Sequence, residues 1–140
     1  MKTYIGTKII QATPESKGPL PHGEEGYAVV YEDGYRSWSP KAAFEAAYRE
    51  CDAMPFGLAI EALKKGFKVA RAGWNGKGMW LVLASGWNAQ LQGTYTTHAL
   101  NMPDDWVGYA PFIAMFTADK VLVPWLASQT DMLAEDWSIV

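Results

Sequence analysis

The chain has 140 residues, 49% of them hydrophobic and 19% charged, a balance that suits a folded domain and excludes wholesale disorder. Its formal net charge of −3 argues against broad binding to a DNA or RNA backbone, which needs a basic face, though it leaves room for a local basic pocket. No apolar run approaches the roughly 20 residues that span a bilayer, and Met1-Lys2-Thr3-Tyr4 opens no signal-peptide core, so the expectation is a cytoplasmic protein without membrane contact.

The pattern predicts a short strand over Thr3 to Ile10, with Ile5, Thr7 and Ile9 on one side. Thr13 to Glu25 holds three prolines and two glycines and reads as a loop. Tyr27 to Tyr31 and Tyr35 to Trp38 then flank Asp33-Gly34, a hairpin signal because both turn residues tolerate positive φ. Ser39 is placed as N-cap and Pro40 as first-turn proline of a helix carrying Ala43, Phe44, Ala47, Tyr48 and Cys51 on one stripe. That stripe makes Cys51 a buried thiol, and as the sole cysteine it can form no intrachain disulfide. Residues 1–53 are thus expected to form a small module of one β-hairpin and one helix, marginal in size by itself.

Met54-Pro55 marks the boundary to a second module, residues 54–140. A helix is predicted from Pro55 to Lys65, with Phe56, Ile60 and Leu63 at helical spacing and Gly66 as its stop. Phe67 to Ala72 and Met79 to Ala84 read as strands across a tight reversal at Asn75-Gly76. Gly86 to Gly108 is polar, aromatic and poorly periodic, a long excursion with little regular structure. Phe112 to Phe116 and Val121 to Trp125 form a hairpin across Thr117 to Lys120, Ser128 to Asp131 a polar turn, and Trp137 to Val140 a closing strand. The fold class is therefore α+β: a mostly antiparallel sheet with one packed helix, preceded by the hairpin-plus-helix module.

Several features bear on chemistry. His22 and His98 have no Cys or carboxylate neighbours at ligand spacing, so no metal or other cofactor is implied. Gly73 to Gly78 lacks the Lys-Ser or Lys-Thr ending of a nucleotide-hydrolase phosphate loop and opens a strand rather than a helix. It is either a hairpin turn, or a turn that projects Trp74 for base stacking with the Asn75 amide, the Gly76 backbone and Lys77 beside it. Asp131, Glu135 and Asp136 cluster without a histidine, serine–histidine pair or metal set, which points to a solvated face or a ribose-hydroxyl acceptor rather than acid–base catalysis. Trp125 precedes Ser128-Gln129-Thr130-Asp131, groups that suit a sugar-phosphate with a stacked base and equally suit turn formation. Seven tryptophans exceed what a core this size needs, a first sign of a binding surface.

Three stretches carry a resemblance: Phe56 to Gly66, Lys68 to Met79, and Val123 to Trp137. In order and spacing they resemble a family of short phage and bacterial proteins, the Thoeris anti-defence sponges, over about Met54 to Val140. The resemblance implies a non-enzymatic protein that binds a cyclic ADP-ribose isomer without cleaving it, so that the immune effector is deprived of its signal. It further implies a homotetramer with pockets at subunit interfaces, and in some members separate sites for cyclic oligonucleotides. It assigns ligand stacking to Phe56 and Trp74, a polar contact to Asn75, and ribose and phosphate contacts to Ser128, Gln129, Thr130 and Asp131. Two departures stand out: Lys120 occupies a turn position where the family has glycine, and Ser85 to Asp105 does not match the shorter family loop. The alternative is a structural or interaction phage protein whose aromatic surface is an oligomer interface. A small hydrolase acting on the same nucleotide has no visible nucleophile.

Overall fold

The computed structural model describes residues 1–19, 22–74, 78–85, 87–88 and 108–140, and the chain divides into two compact units, Met1–Glu50 and Cys51–Val140. In the first unit, strands β1 (Gln11–Lys17), β2 (Glu24–Val30) and β3 (Arg36–Pro40) form an antiparallel sheet in that order. The strand expected over Thr3 to Ile10 is absent; those residues have no regular structure. The first strand lies instead in the proline-containing stretch expected as a loop, with Pro14 opposite Tyr27. Proline is tolerated because β1 is an edge, where a missing N–H interrupts no second ladder. The expected hairpin is thereby widened to three strands.

The β2–β3 turn closes with Tyr31 N–H donating to Tyr35 O at 2.9 Å and Gly34 N–H to Tyr31 O at 2.9 Å. Only Gly34 takes positive φ (83°); Asp33 contributes its side chain, accepting from Tyr35 N–H at 3.0 Å. Helix α1 (Lys41–Ala47) starts one residue later than expected, with Pro40 rather than Ser39 at the N-cap. It lays Phe44 on Tyr27, ring centroids 4.1 Å apart, and on Tyr48, 4.9 Å apart. The short helix ends before Cys51, whose thiol is exposed rather than buried as the stripe suggested.

On the opposite face Trp38 lies across Gly26 and reaches β1, its Nε1–H donating to Glu15 O at 3.1 Å. Lys17 Nζ sits 4.9 Å from the Trp38 ring. A Cβ on Gly26 would overlap the Trp38 ring and the Ser39 carbonyl.

The second unit has five antiparallel strands, β4 (Val69–Arg71), β5 (Trp80–Ala84), β8 (Phe112–Phe116), β9 (Leu122–Pro124) and β10 (Trp137–Ile139). They run in the order β10-β4-β5-β8-β9. Helix α2 (Phe56–Lys64) covers one face, burying Ala59, Ala62 and Leu63 against Val69, Leu81 and Trp137. It stops at Gly66, which takes φ 90°. The excursion expected between Gly86 and Gly108 is described only at its ends, where β6 (Trp87–Asn88) pairs with β7 (Gly108–Tyr109).

The β8–β9 turn repeats the β2–β3 geometry: Thr117 N–H donates to Val121 O and Lys120 N–H to Thr117 O, both at 2.9 Å. Lys120 stands where Gly34 stands in the first turn, and is the one non-glycine with positive φ (64°) among the described residues. That backbone conformation is one glycine adopts without strain, so a glycine would suit the position better than Lys120.

Substituting Gly26→Ala is expected to force Trp38 off the sheet, at a cost of about 1–3 kcal/mol for overpacking. Hydrogen exchange of the full chain should then show faster exchange across β1–β3 with β5 and β8 still protected. Unchanged protection in β1–β3 would contradict this account of Trp38.

Candidate functional site

The site grows from Trp137, which is 0% exposed at the start of β10. Its backbone pairs with Met54 through N–H···O bonds of 2.9 and 3.1 Å, which tethers the lead-in to α2, and Trp137 lies opposite Arg71 in the sheet. Around its indole stand three half-buried rings: Phe56 from the first turn of α2, Trp74 from the turn after β4, and Trp125 from the end of β9. Centroid separations from Trp137 are 5.4 Å for Phe56, 5.4 Å for Trp74 and 6.1 Å for Trp125. Trp125 also meets Phe56 at 6.1 Å and Trp74 at 6.3 Å, both edge to face. Edge-to-face packing sets the positive rim of one ring against the negative face of another. It also leaves part of each outer ring open to solvent.

Beside the rings, Ser128 to Asp131 is a helical turn rather than the simple polar turn expected. Helix α3 (Gln129–Met132) begins with a capping box, Ser128 Oγ accepting from Asp131 N–H at 3.0 Å and Asp131 Oδ2 accepting from Ser128 N–H at 3.1 Å. Ser128 Oγ–H donates to the same Oδ2 at 2.7 Å. Asp131 Oδ1 accepts from Arg71 Nη1 at 2.8 Å and from the Trp74 indole Nε1–H at 3.1 Å. The Asp131 carbonyl accepts from Trp137 Nε1–H at 3.1 Å. A second carboxylate, Asp136, accepts from Arg71 Nε at 2.8 Å and from Gly73 N–H at 2.7 Å. Asp131 and Asp136 are therefore bound to Arg71 and to the turn that carries Trp74 rather than standing as an unpaired, solvated face. Glu135 is exposed and outside this network.

Burial pushes the Asp131 pKa up, but hydrogen bonds from Ser128, Arg71 and Trp74 outweigh it and hold the value at about 2. The Arg71 side chain lowers the Asp136 pKa against the opposing effect of burial, helped by Gly73 N–H. Arg71 is raised, chiefly by its bonds to Asp136 and then Asp131.

The structure thus brings Phe56, Trp74, Trp125 and Ser128 to Asp131 together. Gln129 and Thr130 are exposed at the start of α3. Asn75 and Gly76 lie outside the described residues. Trp74 packs on the core cluster and keeps an open portion. Arg71 and Trp137 were not singled out in the sequence. The signal for Arg71 was its place between the strand and the glycine turn, with two carboxylates near the C-terminus to answer it. Among the described residues no group of three His, Cys, Asp or Glu side chains could hold a metal, and no helix is long and apolar enough to cross a membrane.

Both carboxylates release their protons more readily in the folded chain than unfolded, so they add stability in full above about pH 4 that is lost as pH falls toward 2. For Asp131 the change from 3.8 to about 2 corresponds to about 2–3 kcal/mol. Urea unfolding at pH 7, 4, 3 and 2 should show this acid loss in the wild type and a flatter profile in Asp131→Asn, which should already be weaker at pH 7. An unchanged acid profile in the variant would count against the network.

A family model for the Tad2-like, or Thoeris anti-defense 2-like, domain matches residues 54–140. The protein named "Thoeris anti-defense 2" from Bacillus phage SP01 is 44% identical over 88 residues, which cover 62% of this chain and 94% of that protein. The match spans the aromatic cluster, the Arg71 network and α3, and does not extend over the first unit. On this match the chain belongs to the Thoeris anti-defense 2-like family, a membership that supports a phage anti-defence role.

Proposed function

We propose that this protein binds a cyclic nucleotide immune signal of the cyclic ADP-ribose class and holds it without cleaving it, so blunting Thoeris-type immunity in the host cytoplasm. The observation that carries the reading is the convergence of Phe56, Trp74 and Trp125 on Trp137 beside the hydroxyl and amide groups of α3. A base stacks on the open ring faces, and Gln129 and Thr130 address ribose and phosphate. Asp131 and Ser128 act one step back, since their acceptors are occupied by protein donors. Asn75 keeps the polar ligand contact that the family resemblance implies, and the Gly76 backbone the anion contact that the glycine turn suggests. Sequestration needs tight binding without turnover, and rings packed against one another before the ligand arrives reduce the ordering cost of binding.

We further propose that the protein works as a homotetramer. Leu126 is 91% and Leu133 78% exposed, and Val121, Leu122 and Val123 line an open sheet edge at β9. Exposed apolar residues in such number favour an interface. The same residues favour the alternative reading, a structural protein whose aromatic and apolar surface only assembles copies. Light scattering at micromolar concentration should give four chains per particle; a monomer would remove the assembly from the proposal.

Calorimetry with cyclic ADP-ribose isomers separates the two readings. Trp74→Ala should weaken binding by about 1–3 kcal/mol, roughly tenfold to hundredfold, the range for base–aromatic stacking. Its melting temperature should also fall, because the ring packs on Trp137. Ligand released by heating should be chemically intact. A folded Trp74→Ala protein that binds like the wild type would overturn the stacking role, and release of altered nucleotide beyond one per site would overturn sequestration.

A further inference from the structure

The ring cluster contains one member whose orientation is set by more than packing. Trp74 donates its indole N–H to Asp131 Oδ1, and the same oxygen accepts from Arg71 Nη1. Arg71 reaches both carboxylates, with Nε on Asp136 Oδ1 at 2.8 Å and Nη2 on Asp136 Oδ2 at 3.5 Å, and its own carbonyl accepts from Trp74 N–H at 3.3 Å. Arg71 and Asp131 side chains are each 13% exposed, so either charge left alone would be poorly solvated. A Cβ on Gly73 would lie 2.9 Å from Asp136 Oδ2 and 3.1 Å from Arg71 Nη2, so the turn is drawn tightly onto the ion pairs.

Resting on the nucleotide-binding reading above, we infer that Arg71 is the positioning residue of this site: through Asp131 it fixes the plane of the Trp74 indole for ligand stacking. An apolar trio of similar volume would fill this space at comparable stability, whereas a planar guanidinium bridging two carboxylates holds one direction. Lysine keeps the charge but offers a single ammonium on a flexible stem, which cannot span Asp131 and Asp136 in the same geometry.

The test uses the full chain, labelled with nitrogen-15 so that indole N–H signals are resolved. The Trp74 signal is identified by its loss in Trp74→Phe. The Trp137 signal, whose N–H is bonded to the Asp131 backbone carbonyl rather than the carboxylate, serves as the internal control. In Arg71→Lys the Trp74 indole N–H should exchange with water at least tenfold faster while the Trp137 signal stays in place. General loosening of the fold would move both signals. Asp136→Asn, which weakens the Arg71 anchor without touching Asp131, should give a smaller effect in the same direction. Calorimetry with cyclic ADP-ribose isomers should show Arg71→Lys binding about tenfold or more weakly. An unchanged Trp74 signal, or equal movement of both signals, overturns the inference, as does wild-type affinity in Arg71→Lys. If the wild type binds none of these isomers, the nucleotide reading fails, and the indole signals alone decide whether Arg71 governs Trp74.

Discussion

One carboxylate oxygen, Asp131 Oδ1, is shared between a guanidinium and an indole, and its partner Oδ2 reaches back to Ser128 to complete the capping box of its own helical turn. Arg71 to Trp74 meets two stretches from near the other end of the chain, Ser128 to Asp131 and Asp136 to Trp137, at this group and its neighbour Asp136. The sheet supplies the scaffold, because β4 and β10 are paired with Arg71 opposite Trp137. Remove the carboxylate, and Arg71 retains only Asp136, α3 loses the reciprocal half of its capping box, and the Trp74 edge loses its acceptor.

The tryptophan surplus follows from the same geometry. Trp137 is a core residue in the ordinary sense, fully buried under α2 with its N–H satisfied by a backbone carbonyl. Phe56, Trp74 and Trp125 are core on one side only. Because each stands at the end of a regular element, one part of the ring packs inward while another stays open. Trp38 spends its indole differently, spanning the small sheet of the first unit over a glycine. Core and surface are thus separate parts of single residues, not separate residues.

Much of the second unit was legible because its elements carry strong local punctuation. Gly66 ends α2, apolar runs mark β5 and β8, and Thr117 to Lys120 closes a hairpin. The stacking candidates were legible as aromatic residues next to turns. The first unit was harder: three prolines and two glycines suggested a loop, and pairing to β2 overrode that local preference at an edge. Cys51 was misplaced because a helical stripe was extended past the point where α1 stops. For the Arg71 network the sequence offers only a place, between a strand and a glycine turn, and two distant carboxylates; spacing says nothing of which carboxylate, 60 or 65 residues on, returns to a given guanidinium.

The ion pairs have an electrostatic consequence as well. Arg71 contributes one positive charge and Asp131 and Asp136 two negative ones, so the trio sums to −1. A positive field that draws an anion in from a distance therefore does not arise from this trio, and its arginine has no spare charge for a phosphate. For an anionic ligand, arrival at this part of the site is governed by diffusion and shape, with little help from lowering the salt. On the sequestration proposed above, grip would then reside in how slowly the rings and the start of α3 let go. A protein that depletes a signal gains from such an arrangement, because slow release keeps the signal away from its receptor long after capture.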